Sequence, residues 1–121
     1  MANKLKTEVE NRKLRNLIRP SNRKNGCLKF YANERSNHKY HKFLVFNILL
    51  ENGWEVYSEA IFLNGTRADI LAIKDGVGIV VEVLETEKEE ECQEKIKMYP
   101  KDLRVYMVKE LSDITKIPTQ I

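Results

Sequence analysis

The 121 residues are 42 % hydrophobic and 32 % charged, with two cysteines and a formal net charge of +3. That length fits one globular domain with a single core, and the composition excludes a disulfide-stapled scaffold and a collagen-like or disordered chain. The longest apolar run, Phe43 to Leu50 with Asn47 inside it, is too short to cross a bilayer.

The amino terminus lacks the apolar core of a signal peptide, so a cytoplasmic protein with no membrane partner is expected. Cys27 and Cys92 lie far apart, match no metal-ligand spacing, and are expected as reduced thiols. The charge is unevenly spread. Residues 1–43 hold twelve Lys and Arg against three acids, and the remainder nine against fifteen. A basic amino-terminal third is the electrostatic footprint of a polyanion, usually nucleic acid, although a solvated basic arm has the same composition.

Lys4 to Arg19 reads as a first helix with Asn3 as its cap and Pro20 beyond its end. Its apolar positions Leu5, Val9, Leu14, Leu17 and Ile18 form an imperfect stripe. Ser21 to Gly26 is a basic loop, and Cys27 to Ala32 a short strand. These residues, 1–32, read as a basic extension packed on a core spanning 33–121. The second helix runs from Ser36 to Asn52 and ends at Gly53. It is apolar nearly all round from Phe43 to Leu50, so it should be covered on more than one side. The sheet is one cover. The amino-terminal segment, or the second subunit of a homodimer, is expected over Val45, Phe46 or Leu49. Trp54 to Leu63 reads as the first strand, with Asn64-Gly65 turning into the second.

The second and third strands, Arg67 to Ile73 and Gly78 to Leu84, flank Asp75-Gly76, the strongest short signal for a two-residue turn. With that turn Lys74 pairs with Val77, and the register carries Asp69 opposite Glu82. Directly opposed side chains have Cβ atoms about 4.5–5.5 Å apart, and like charges there repel. Glu82 also sits in a strand that looks buried on both faces, where carboxylates are almost never left unpaired. A hard divalent cation, Mg²⁺ or Mn²⁺, accounts for two anions held so close. A sheet end neutralised by other cations is the alternative.

Thr86-Glu87-Lys88-Glu89 is a capping box opening a third helix, with Cys92, Ile96 and Tyr99 on its buried face and Pro100 closing it. Leu103 to Val108 is the last strand, and Ser112 caps a final short helix. A helix crossing between the third and fourth strands makes them parallel. The expected fold is therefore α/β: an αβββαβ core whose mixed four-stranded sheet has helices on both faces.

In this setting the chain resembles the PD-(D/E)XK nuclease superfamily, where an Asp opens the second core strand and a Glu-x-Lys sits on the third. The resemblance covers residues 36–108: Ser36-Asn37-His38 with Lys42 on a helix, Gly53-Trp54-Glu55-Val56 entering a strand, Glu59 on that strand, Arg67-Ala68-Asp69, and Glu82. Where the family carries its lysine, this sequence has Leu84. The resemblance implies a restriction-endonuclease-like fold and a metal-dependent deoxyribonuclease, with Asp69, Glu82 and the Val83 carbonyl as metal ligands. Lys95 or Lys97 of the following helix is expected to replace the missing amine. Lys95 is preferred, one turn before Tyr99. DNA contacts are expected from His38, Lys42, Arg67, Lys97 and the loop residues Arg23 and Lys24. A nuclease-fold module without hydrolytic activity is the rival reading. Glu59 depends on the Asn64-Gly65 turn. A two-residue loop puts Ala60 opposite Asp69 and turns Glu59 away; a three-residue loop with Thr66 puts Ile61 there and brings Glu59 to the carboxylates. The second is preferred because the resemblance favours an acid there.

Overall fold

The computed structural model describes residues 4–84 and 89–118. Its elements are α1 (Lys4–Arg15), a short 3-10 turn (Pro20–Asn22), α2 (Ser36–Glu51), β1 (Glu55–Ile61), β2 (Arg67–Lys74), β3 (Val77–Val83), α3 (Glu89–Ile96), β4 (Arg104–Val108) and α4 (Leu111–Ile114). The fold is α/β with one mixed sheet in the order β1-β2-β3-β4. The first two pairings are antiparallel and the last is parallel.

Strand β2 is buried on both faces, as its near-continuous apolar sequence requires. On one face Val45, Phe46 and Leu49 of α2 pack on Val56, Ile70, Ala72, Ile79 and Val81. Ile114 and Ile117 complete that layer. On the other face Leu14 and Ile18 meet Leu71, Ile73 and Val80, joined by Tyr99 and Leu103 beyond α3. The expectation for α2 holds in part: Leu28 of the amino-terminal segment packs against this cluster, the amino-terminal helix does not, and no second subunit is needed to bury Val45, Phe46 or Leu49. α1 lies across the sheet from α2, and Val45, Phe46 and Leu49 are buried by the sheet and the carboxy-terminal segment.

α1 is shorter than the stripe foretold. It ends at Arg15, and only Leu14, Leu17 and Ile18 reach the core, while Leu5 stays exposed. An ion pair straps the helix end to β1. The Arg15 guanidinium donates to both Glu55 oxygens at 2.9 and 2.8 Å, and the Tyr57 hydroxyl donates to Oε1 at 2.8 Å. Although burial disfavours its charge, Glu55 is held below the ordinary carboxylate range by Arg15 and Tyr57.

The expected strand from Cys27 to Ala32 is a single parallel bridge, Cys27 to Tyr57. Around it, Gly26 N–H donates to Val56 O at 2.9 Å, Asn25 Oδ1 accepts from Val56 N–H at 2.8 Å, and Ser58 Oγ accepts from Lys29 N–H at 2.8 Å. This segment covers the open edge of β1, which would otherwise offer unpaired backbone groups to another chain.

At the β2–β3 turn Asp75 and Gly76 both have positive φ, +48° and +79°. The β1–β2 turn differs from both versions drawn from sequence. Ala60 pairs with Ala68 and Ile61 with Arg67, which puts Glu59 opposite Asp69. The cause lies in Asn64. Its Oδ1 accepts the Thr66 N–H at 2.9 Å and its Nδ2 donates to Met98 O at 2.7 Å, while Phe62 N–H closes on Thr66 O at 2.8 Å. The loop is thus Leu63-Asn64-Gly65. The capping box from Thr86 lies at residues outside those described. α4 is capped by Glu110, with Asp113 returning the bond, rather than by Ser112.

Replacing Arg15 with Ala is expected to lower unfolding stability by about 1–2 kcal/mol, the scale of a partly exposed charge-assisted pair. A urea midpoint no lower than that of an Arg12→Ala control would show that the strap contributes nothing.

Candidate active site

The β2–β3 ladder runs from Lys74–Val77 up to Ile70–Val81, one step short of the acids. There the side chains take over the backbone bonding. Glu82 Oε2 accepts the Asp69 N–H at 3.2 Å, and Asp69 Oδ2 accepts the Val83 N–H at 2.8 Å. Lys95 Nζ, arriving from α3, lies 2.9 Å from Glu82 Oε1. Glu82 is almost fully buried, while the Lys95 side chain is 39 % exposed.

This setting decides the charge. Burial pushes the Glu82 carboxyl up to about 8, the Asp69 charge adds to the rise, and Lys95 opposes it without winning.

Glu59 faces Asp69 across the β1–β2 pairing, at φ +51°, a conformation rare outside glycine. The sheet changes phase there. Tyr57 and Ala60 both serve the α1 face, as do Ala68 and Leu71, so strict alternation breaks at Glu59 on one strand and Asp69 on the other. The kink hands Glu59 to α2. Lys42 Nζ lies 3.0 Å from Glu59 Oε1 and 3.0 Å from Glu34 Oε1, with its side chain fully buried and the Phe30 ring 5.5 Å away. Burial raises the Glu59 carboxyl above its ordinary value against the pull of Lys42, and the Asp69 charge raises it further. Lys42, expected to meet DNA from the helix face it shares with His38, instead holds two carboxylates inside the protein. Its i, i+4 spacing from His38 carried no information about that depth. Glu34 was missed because nothing in a loop sequence marks it as buried.

The remaining expected residues are scattered. Arg67 lies beside the acids, its guanidinium 3.1 Å from the Tyr31 hydroxyl and stacked 5.6 Å from that ring. Arg23 donates to the Ile18 carbonyl at 3.1 and 2.8 Å, holding the chain after α1. Lys24 is exposed. Lys97 pairs with Glu94 at the surface. His38 lines a separate cavity at the start of α2. The basic charge is also not one patch: α1 meets the hairpin turn, where Asn11 Oδ1 accepts the Gly76 N–H at 2.7 Å. That turn is six residues from Asp69, about 20 Å along the strand.

Among the described residues no group of three His, Cys, Asp or Glu side chains is placed to hold a metal ion together. The donor set near the kink is the Asp69–Glu82 pair. No protein-family model, curated protein or solved structure matches this chain. No helix among the described residues is long and apolar enough to cross a membrane.

Because Glu82 binds its proton more tightly folded than its ordinary value of 4.5 allows, the native state carries an extra proton between about pH 4.5 and 8. Native stability should therefore fall as pH rises through that window. Glu82→Gln removes the titration, so urea midpoints of wild type should decline relative to the variant from pH 5 to pH 9. Parallel curves would mean that Glu82 titrates normally.

Proposed function

We propose that this chain is a divalent-cation-dependent deoxyribonuclease of the PD-(D/E)XK superfamily, with the restriction-endonuclease-like version of its α/β fold. One observation carries the reading: Asp69 and Glu82 are pressed together where two strands stop pairing, with an ammonium 2.9 Å from Glu82. The donor set fits Mg²⁺ or Mn²⁺. Such ions are commonly bound through one or two carboxylates, with water and substrate oxygens filling the remaining positions, so a ready trio of protein ligands is not required. Asp69, Glu82 and the Val83 carbonyl would hold the ion, which supplies an activated water and neutralises phosphate charge.

The protein's own groups do the rest. Asp69 is fixed by the Val83 N–H, so its orientation does not depend on ligand. Lys95 stands in for the amine that Leu84 lacks, close enough to Glu82 to share its proton and exposed enough to meet substrate. Arg67 supplies permanent positive charge beside the pair and cannot serve as a base. Glu59 is a positioning residue, drawn toward α2 by Lys42 and bordering Asp69 electrostatically. DNA contacts nearest the acids come from Arg67 and Lys95 rather than from α1, with Lys24 exposed on the loop that follows it.

A second reading, a nuclease-fold DNA-binding or assembly module without turnover, is favoured by Leu84, which is 5 % exposed and offers no proton chemistry. Cleavage assays on linear, single-stranded and branched DNA under saturating Mn²⁺ separate the two. Wild type should cleave, Asp69→Ala should fall to background, and Lys95→Ala should lose about 10²–10⁴-fold, the usual share of general acid–base help. Equal rates in wild type and Asp69→Ala, with DNA still bound, would leave the module.

Binding itself should depend on salt. Replacing Lys24 and Arg67 together by Gln should flatten the slope of log K against log salt by up to about 2, since each phosphate contact contributes about 0.9. An unchanged slope would mean that neither touches the DNA backbone. Deleting residues 1–24 is a poorer test, because Leu14 and Ile18 belong to the core.

A further inference from the structure

Two aromatic rings stand half-exposed on consecutive residues, Phe30 and Tyr31, at 45 and 44 %. Aromatic side chains ordinarily bury most of their surface, and these two are not carried by a loose loop. Lys29 N–H donates to Ser58 Oγ at 2.8 Å just before them, and Glu34 N–H donates to the Tyr31 carbonyl at 3.1 Å just after. Glu34 is in turn held by the buried Lys42 at 3.0 Å. The loop is therefore pinned to β1 on one side and to α2 on the other, which holds the rings in place.

Each ring is linked to the acids at the kink. Phe30 covers Lys42, whose Nζ is 5.5 Å from the ring centre and 3.0 Å from Glu59, the residue opposite Asp69. Tyr31 is held at its hydroxyl by Arg67 at 3.1 Å, and Arg67 precedes Asp69 by two residues, about 7 Å along β2. The carrier loop is cationic. From Ser21 to Arg35 the chain has four Lys and Arg against one acid, and that acid, Glu34, is turned inward against Lys42. An exposed ring beside permanent positive charge matches a ligand with a flat π face on an anionic backbone, which is a nucleotide. A purely apolar partner would gain nothing from the cations.

We infer that the Tyr31 ring stacks on an unpaired base of a DNA strand whose backbone reaches the acids, so that the substrate class is single-stranded DNA. Inside a duplex each base is covered on both faces by its neighbours, and a ring on a fixed loop has no face to meet. An unpaired base offers one. Every base has a π face, so the preference is for strandedness and not for sequence. Arg67 serves twice: it orients the ring through the hydroxyl and places charge where the phosphate beside that base would lie. Phe30 shields Lys42 and borders the platform. That the strand is a substrate rests on the nuclease reading; stacking of the base does not.

The test reads binding by the full chain in EDTA, where cleavage plays no part. Fluorescence anisotropy compares a labelled oligothymidylate, a strand of equal length built from abasic spacers, and a blunt duplex. The two single strands carry the same phosphates and differ only in their bases. Wild type should bind the base-bearing strand at least about tenfold more tightly than the abasic one, within the range that one stacked base contributes. In Tyr31→Ala that ratio should fall to near one, while affinity for the duplex should not change. Tyr31→Phe, which keeps the ring and loses the hydroxyl bond to Arg67, should retain most of the ratio. Tyr31 is exposed, so the alanine change leaves the core intact. Equal affinity for the two single strands, or a preference that survives in Tyr31→Ala, would overturn the assignment. So would a phenylalanine variant that behaves like alanine, or an equal loss on duplex and single strand, since either makes Tyr31 a prop for Arg67. In Mn²⁺, absence of cleavage with the base preference intact refutes only the nuclease, and cleavage without base preference refutes only the stacking.

Discussion

Two carboxyl groups occupy the one place where β2 and β3 stop pairing, and much of the local architecture answers that constraint. Burial pushes the Glu82 carboxyl up to about 8, and the charge of Asp69 beside it adds to the rise. Lys95 reaches Glu82 from α3. Backbone N–H groups of Asp69 and Val83 do work that a ladder would otherwise do with carbonyls. A third acid, Glu59, would make the crowding worse. The kink at φ +51° turns it toward Lys42, whose burial between Glu59 and Glu34 holds it there. Each device moves negative charge apart or matches it, while none removes an acid from the sheet.

The legible parts of this fold are those fixed by short-range chemistry. Asp75-Gly76 sets the β2–β3 register because positive φ at both residues admits one kind of turn, and Asp69 then approaches Glu82 without further assumption. The helix crossing from β3 to β4 likewise fixes a parallel pair. Asn64-Gly65 carries the same local signal and misleads, since Asn64 bonds to Met98, thirty-four residues away, and the loop gains Leu63. Lys42 misleads for a related reason. A lysine in the first half of a polar-starting helix reads as surface until its partners are known, and Glu34 and Glu59 come from a loop and a strand. Lys95 was reachable from the helical spacing to Tyr99, which fixes the buried side of that segment.

Helix α2 shows how an apolar sequence can be satisfied by a small element. Its run from Phe43 to Leu50 suggested a large second cover, such as another subunit. Two isoleucines, Ile114 and Ile117, supply it on the sheet side, and Trp54 folds back from the helix end. Neither isoleucine stands in a long periodic segment, so their role is invisible to pattern reading. What α2 leaves outside are Tyr40 and Phe43, half-exposed aromatics at its outer surface.

The proposed function places the amine on Lys95 of α3 rather than at Leu84, and the two positions differ physically. A lysine on the strand would be fixed by the sheet and would point with its neighbours. Lys95 stands on a helix of eight residues, more than a third exposed, and reaches Glu82 across a gap. Its long stem carries several rotatable bonds, so its hold on Oε1 is conditional on the charge there. Oε2 is already held by the Asp69 N–H, and Asp69 Oδ2 by the Val83 N–H. Any positive charge joining the pair therefore competes first with Lys95, while the backbone bonds that orient the acids stay in place. Meanwhile Leu84 is apolar and packed, forming a wall of the cavity at the start of α2. The strand end thus keeps its carboxyl and ammonium on the Glu82 side and an apolar side chain on the Leu84 side.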